Sequence, residues 1–169
     1  MPEVLVHILI PLMVLLYLRF ELKYALAYSL FAILPDFDIF FGVHRSLSHS
    51  IVFILIIFLP IIVVAQLKSR VLFKRIAVVL FVLLSHIILD VFTGYTPIFY
   101  PLYNMAIYLI VNVTVNTISY NIKLDFNVYT KQVTFQIENV DAPILTNVGI
   151  ALGIFIFVSI ILRKLSRIY

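Results

Sequence analysis

The sequence predicts an all-α, multi-pass membrane protein with about five transmembrane helices and a small extracytoplasmic β-strand segment at about 104–140. Three observations predict it. Of 169 residues, 64% are hydrophobic and 12% charged, with a mean hydropathy of +1.17. A soluble chain of this size cannot cover that much apolar surface, so its solvent must be lipid. The apolar residues collect in five runs, and nine of the twelve basic residues flank those runs as Arg19/Lys23, Lys68/Arg70/Lys74/Arg75 and Arg163/Lys164/Arg167. Such flanks are orientation signals, and they make a poor nucleic-acid stripe, so no nucleic-acid partner is expected.

The runs cover about residues 3–18, 24–34, 50–66, 76–92 and 144–162. A full crossing takes roughly 20 residues at 1.5 Å each. The last three meet or approach that length. The first two are short, the second being stopped by Pro35. Met1-Pro2-Glu3 carries no basic region and no small-residue cleavage site follows, which predicts an uncleaved first helix. Length allows a single domain. Its parts are a membrane helical core over 1–102, a strand-rich segment over 103–143, and a final transmembrane helix with a basic tail over 144–169.

Within 103–143 the period changes from helical to two. Ile118, Tyr120, Ile122, Leu124, Phe126 and Val128 alternate with mostly polar residues, and Val133, Phe135 and Ile137 do so after a turn expected near 130–132. Residues 106–115 add a third strand or begin a sixth apolar helix. Open strand edges cannot face lipid, so this segment is expected as an external cap or interfacial flap.

Placing all three basic clusters in the cytoplasm gives one consistent topology. The N-terminus, 35–49 and 92–143 then lie outside and the C-terminus inside. That topology gathers all four histidines and three of the five aspartates at the outer face of the cell membrane: His7, Asp36/Asp38, His44/His49 and His86/Asp90. Ionisable groups at membrane depth are costly and mark function. With no cysteine, disulfides and thiolate sites are excluded, and a metal must take nitrogen and oxygen ligands.

Each cluster also has a bland explanation. His86 and Asp90, at i, i+4 on one face of an apolar helix, can be a buried pair that only holds helices together. Asp36-Phe37-Asp38, following Pro35, can be a solvated turn. A charged interfacial loop accounts for Arg45, and a core histidine for His7. All of these must hold at one depth, which is much less economical than one shared site.

These residues also carry a resemblance. Leu34-Pro35-Asp36-Phe37-Asp38, His44-Arg45-Ser46-Leu47-Ser48-His49-Ser50 and His86-Ile87-Ile88-Leu89-Asp90-Val91-Phe92-Thr93 resemble the LPDxD, HRGxTHS and HxxLDxxT signatures of the YdjM-like (YbcI-like) membrane-bound metal-dependent hydrolases, and His7 matches their N-terminal histidine. Ser46 stands in place of the family's glycine and Ser48 in place of its threonine, and the stretch 94–97 is altered. The resemblance covers about 1–102. It implies a metal-dependent hydrolase of ill-defined substrate, similar in ligand type to zinc-dependent phospholipases C.

Taken together, His7, Asp36, His49, His86 and Asp90 are the expected ligands of one or two divalent metals, with Asp38 bridging or orienting an imidazole. Zinc suits this donor set first, with manganese or iron as alternatives. Such an ion lowers the pKa of water toward neutrality. Arg45 is placed to grip a phosphate oxygen, and His44 to protonate a leaving group or complete a second metal site. Ser48 and Thr93 are hydrogen-bonding support. The expected partners are the bilayer and an amphiphilic or lipid-linked phosphoester. A transporter would need polar residues through the inner halves of the helices, which are nearly all apolar. A structural metal staple would show a closed ligand shell. A reporter fused after Tyr169 should read as cytoplasmic; an external reading would overturn the shared outer leaflet.

Overall fold

The computed structural model describes residues 4–41, 43, 45–117, 120–135 and 146–165. Helix α1 (Val4–Tyr17) is followed by α2 (Leu22–Ser29), which runs on into a 3-10 helix over Leu30–Phe41. A short 3-10 turn (Leu47–His49) leads into α3 (Ile51–Lys68), and α4 (Arg70–Val91) follows directly. Strands β1 (Met105–Asn116) and β2 (Asn121–Gln132) precede α5 (Asn147–Leu165).

Among the described residues, three helical segments are long and apolar enough to cross a membrane: Leu22–Phe41, Ile51–Lys68 and Arg70–Val91. Val4–Tyr17 and Asn147–Leu162 are apolar but shorter. The expectation of five crossings is therefore supported by length for three helices. Lipid as solvent is visible in the inside-out distribution of side chains. Ile56, Leu59, Val63, Val71, Phe155 and Phe157 are exposed, while the polar groups described below are buried.

The first connection ends α1 by a left-handed residue. Arg19 has φ 66°, its N–H donates to the Leu16 carbonyl (3.0 Å), and the Phe20 N–H reaches back to the Leu15 carbonyl (3.0 Å). This is the Schellman arrangement, which satisfies the last carbonyls of the helix. At the α3–α4 corner, Ser69 alone links the helices. Its hydroxyl accepts from the Leu72 N–H (3.0 Å) and caps α4.

The second helical rod departs from expectation. Pro35 does not stop it. An α-helix would lose a hydrogen bond and clash at an interior proline, and here the chain tightens into 3-10 winding, carrying Asp36 and Asp38 on the rod. With three residues per turn, side chains at i and i+3 align. Ser29, Ala32, Pro35 and Asp38 are buried, and Phe31, Leu34, Phe37 and Phe40 are exposed, so the burial pattern follows that period. Asp36 and Asp38 are each only 8% exposed, which removes the solvated-turn explanation.

Helix α1 is central, packing against α2, the 3-10 rod, α4 and α5. Leu9, Leu12 and Leu15 of α1 meet Ala25, Ala32, Val82 and Ile156 in the main apolar cluster. A second cluster joins Ile54 of α3 to Leu83 and Ile87 of α4. The two alanines let the rods approach closely, as small residues do between membrane helices.

The strands form one antiparallel hairpin whose register pairs Met105 with Gln132 and Asn116 with Asn121. Residues 106–115 are thus strand and not a sixth helix. Thr130 and Gln132 pair with Ile107 and Met105, so no turn lies there. The strand expected from Val133 is absent among the described residues; 133–135 are irregular, and Ile137 and Ile118 lie outside the described residues. The longer pairing wins because each residue of β1 finds a backbone partner on β2. One face carries Ile107, Leu109, Val111, Val113 and Val115 opposite Thr130, Val128, Phe126, Leu124 and Ile122. The other carries Ala106, Tyr108, Asn112 and Thr114 opposite Lys131, Tyr129, Asp125 and Lys123. Thr96 and Ile107 exchange two backbone bonds (2.9 Å each), tying the hairpin base to the loop after α4.

Because Ala25 is fully buried between rods, Ala25→Leu should destabilise the bundle by about 1–3 kcal/mol. Thermal unfolding in detergent measures this, and an unchanged midpoint would contradict the packing described.

Candidate metal centre

Four backbone elements each deliver polar side chains to one end of the bundle. Helix α1 contributes His7 from its first turn; α4 contributes His86 and Asp90 from its last turns; the 3-10 rod contributes Asp36 and Asp38. The turn Leu47–His49 contributes His49, its backbone closed by His49 N–H to Ser46 carbonyl (3.1 Å). His7, His49, His86 and Asp90 are completely buried.

Asp36, His49, His86 and Asp90 each offer one ligand atom, all within 4.8 Å of one another. Asp36 Oδ1 lies 3.4 Å from His49 Nε2 and 3.5 Å from His86 Nε2. Asp90 Oδ2 lies 3.1 Å from His49 Nε2 and 3.6 Å from His86 Nε2. The two Nε2 atoms are 3.2 Å apart. An ion held tetrahedrally by bonds of roughly 2.0–2.1 Å requires ligand atoms about 3.3 Å apart. These five separations bracket that value and all four atoms lie within 4.8 Å of one another, so the residues fit a small divalent cation. Asp90 Oδ2, moreover, is buried and has no hydrogen bond of proper geometry among the described residues.

Charge supports the same fit. Asp36, Asp38 and Asp90 as carboxylates face only one guanidinium, Arg45, among the described residues. Two negative charges are left over, which is the charge of one divalent ion. Burial disfavours the charged form of His49, but the surrounding carboxylates of Asp36, Asp38 and Asp90 outweigh it and push the pKa up to about 10. A metal bound at Nε2 would compete with a proton for that atom.

Asp38 acts on His49 from behind. Its Oδ2 is 3.1 Å from His49 Nδ1 and accepts from the Ser46 N–H (2.8 Å) and the Ser48 hydroxyl (2.9 Å). This fixes the ring with Nε2 toward the cluster, the role an outer carboxylate plays for a metal-bound imidazole. Ser48, in place of the family's threonine, keeps the hydroxyl that this contact needs. Of the two roles left open for Asp38, the geometry is that of an orienting carboxylate.

His7 stands at the edge of the group. Its Nε2 is 3.4 Å from the other oxygen of Asp90, Oδ1, and its ring lies over that of His86 with centroids 4.2 Å apart. Asp90 therefore faces His49 and His86 with one oxygen and His7 with the other, the disposition of a bridging carboxylate. Arg45 closes the outer side. Its Nη2 donates to Thr93 Oγ1 (2.8 Å) and lies 3.5 Å from Asp90 Oδ1, while Nε is 3.5 Å from Asp90 Oδ2. Arg45 adopts φ 58°, a conformation costing about 1 kcal/mol or more and retained where the surroundings demand it. His44 lies outside the described residues.

Two features escaped the sequence reading. A Cβ on Gly94 would overlap Arg45 Nη1 and sit 3.1 Å from Cζ, so this glycine makes room for the guanidinium. Its scarcity was the available signal, since the chain has only four glycines. The loop holding it is lashed to the start of α3: Ile51 N–H donates to the Ile98 carbonyl (3.0 Å) and the Ser50 hydroxyl to the Tyr100 carbonyl.

A lipid-embedded helical bundle with a buried imidazole–carboxylate cluster defines a membrane protein with a candidate metal centre. The chain belongs to the YdjM inner membrane protein family, whose model matches residues 1–165. That match continues past residue 102, where the recognisable motifs end, through the hairpin and into α5. No curated protein and no solved structure is detectably similar to it.

Ligand and orienting roles separate by substitution. Asp36→Asn and His86→Ala should abolish metal retention in the purified protein, whereas Asp38→Asn should retain a site weakened about 10–100-fold. Metal content and competition with a chelator measure both; unchanged stoichiometry in His86→Ala would sink the site.

Proposed function

We propose that this chain is a membrane-embedded metal-dependent hydrolase acting on a phosphoester, amphiphilic or lipid-linked, at the outer leaflet. The observation that carries the reading is the convergence of the Asp36, His49, His86 and Asp90 ligand atoms, five of whose separations are 3.1–3.6 Å. Zinc is the proposed ion, with manganese or iron as alternatives, since all donors are nitrogen or oxygen. The ion would supply Lewis acidity and bring the pKa of water down toward neutrality.

The chain's own residues have distinct tasks in this proposal. Arg45, held by Asp90 and Thr93 at the rim, would bind a phosphoryl oxygen and stabilise charge as it develops. His44, adjacent in sequence, is the proposed proton donor to the leaving group. Asp38 keeps the His49 ring aimed. The outer-leaflet assignment rests on the basic clusters. Arg19 ends α1 and Arg70 begins α4, whereas His7 begins α1 and Asp90 ends α4, so the cations sit at the opposite end from the site. With those cations cytoplasmic, the site faces outward.

One observation favours a second reading. Four protein ligands around one ion would complete a shell, and closed shells belong to structural metals. Turnover decides between them. Metal-loaded protein should hydrolyse a soluble phosphate ester or a short-chain phospholipid and lose this on chelation. Arg45→Ala should lower kcat/KM about 10²–10³-fold with metal content intact. Full metal occupancy without turnover, together with a large fall in Tm on chelation, would favour the staple.

A further inference from the structure

Beside the metal centre lies a cleft of about 360 Å³, lined by Arg45, Gly94, Tyr95, Lys131, Gln132 and Phe135 among others. We infer that this cleft binds the phosphate oxyanion of the substrate, with Lys131 of the hairpin as a second cation beside Arg45. The inference rests on the hydrolase reading only in identifying the bound anion as substrate. Its volume falls at the small end of ligand sites, which run roughly 300–1,000 Å³.

Three observations support an anion there. The lining includes two cations and no carboxylate. Arg45 is anchored on its Asp90 and Thr93 side, while Nη1, lying against Gly94, has no hydrogen-bond partner among the described residues. An anchored guanidinium with a spare N–H edge suits an oxyanion, because little side-chain freedom remains to be lost. Lys131, finally, forms no ion pair among the described residues. Lys123, farther along the same hairpin face, already pairs with Asp125 at 3.3 Å.

The hairpin register explains why Lys131 is present at all. Ala106 and Lys131 are opposite each other, so both side chains project from one face. Ala106 is buried, which turns that face toward the protein at the hairpin base. The Thr96–Ile107 bridge fixes that base against the loop carrying Gly94. Lys131 is thereby brought to Arg45 although 86 positions separate them in the chain. Phe135, edge-on to Tyr100 with centroids 5.3 Å apart, supplies an apolar wall beside the cations. A phosphate carrying an apolar group matches this combination better than a free sugar or a cation does.

The test is equilibrium binding of two probes, inorganic phosphate and dihexanoyl phosphatidic acid, to detergent-solubilised protein with and without metal. Both should bind the wild type, the lipid more tightly if the apolar wall contributes. Lys131→Gln should weaken both about two- to fivefold, roughly the value of one charged contact at an accessible site. Lys131→Glu should weaken them further, and Lys123→Gln should change neither. Metal content should be unaffected in all three variants. Unchanged affinity in Lys131→Gln overturns the inference, as does a metal-loaded wild type that binds neither probe. Phosphate bound equally well with and without the lipid tail assigns the cleft to free phosphate. If the protein retains no metal but binds the anions with the same Lys131 dependence, the metal reading fails and the anion cleft stands.

Discussion

Placing three carboxylates, three imidazoles and a guanidinium at one buried end of a lipid-facing bundle is the constraint on which this structure depends. An isolated charge at such depth is expensive, and removing one partner of a buried set typically costs about 3–5 kcal/mol. The groups must therefore be mutually compensated, and several separate elements supply them. His7 ties in α1, Asp36 and Asp38 the 3-10 rod, His49 the turn before α3, and His86 with Asp90 the end of α4. The apolar clusters of Leu9, Leu12, Leu15 and Val82 hold the same helices below this level. Polar convergence above and small-residue packing beneath fix the helices at two heights. A divalent ion would remove the remaining charge imbalance, joining the stability of the bundle to its chemistry.

The 3-10 winding of Leu30–Phe41 follows from that constraint. A loop after Pro35 would leave backbone groups open near lipid and leave the two aspartates to water. Continuous winding keeps the backbone bonded, presents Phe31, Leu34, Phe37 and Phe40 outward, and turns Asp36 and Asp38 inward. The two carboxylates then do different work. Asp36 reaches the shared ligand point, while Asp38 sits behind His49 with Ser46 and Ser48. An i, i+2 spacing in sequence looks symmetrical; its separation into ligand and orienting group comes from the neighbours.

The hairpin extends the same end of the molecule. It is amphipathic along 12 residue pairs, with one face almost wholly apolar and the other bearing Tyr108, Tyr129, Asp125, Lys123 and Lys131. Its base is joined to the loop after α4, and its polar face borders the cleft beside Arg45. A segment of strand character in a helical membrane protein thus forms one wall of a cleft whose other wall is the bundle. Gly94 is the junction, because any side chain there would displace the guanidinium that both walls share.

Composition and charge by themselves determined that this chain belongs in lipid, because apolar surface on this scale has no other solvent. Cytoplasmic placement of the basic flanks also led to the expectation that His7, Asp36, Asp38, His44, His49, His86 and Asp90 share one level, since rise per residue converts position in a span into depth. The absence of cysteine restricted any metal to nitrogen and oxygen donors. Tertiary structure decided the rest. Winding through Pro35 was hidden because the proline rule describes an isolated α-helix, and the buried partners of Asp36 and Asp38 lie far away in sequence. The strand boundaries were hidden because alternation in β2 is compatible with several turns, and only pairing with β1 selects one. Lys131 looked like an ordinary surface lysine for the same reason: its place beside Arg45 depends on a register that no local pattern encodes.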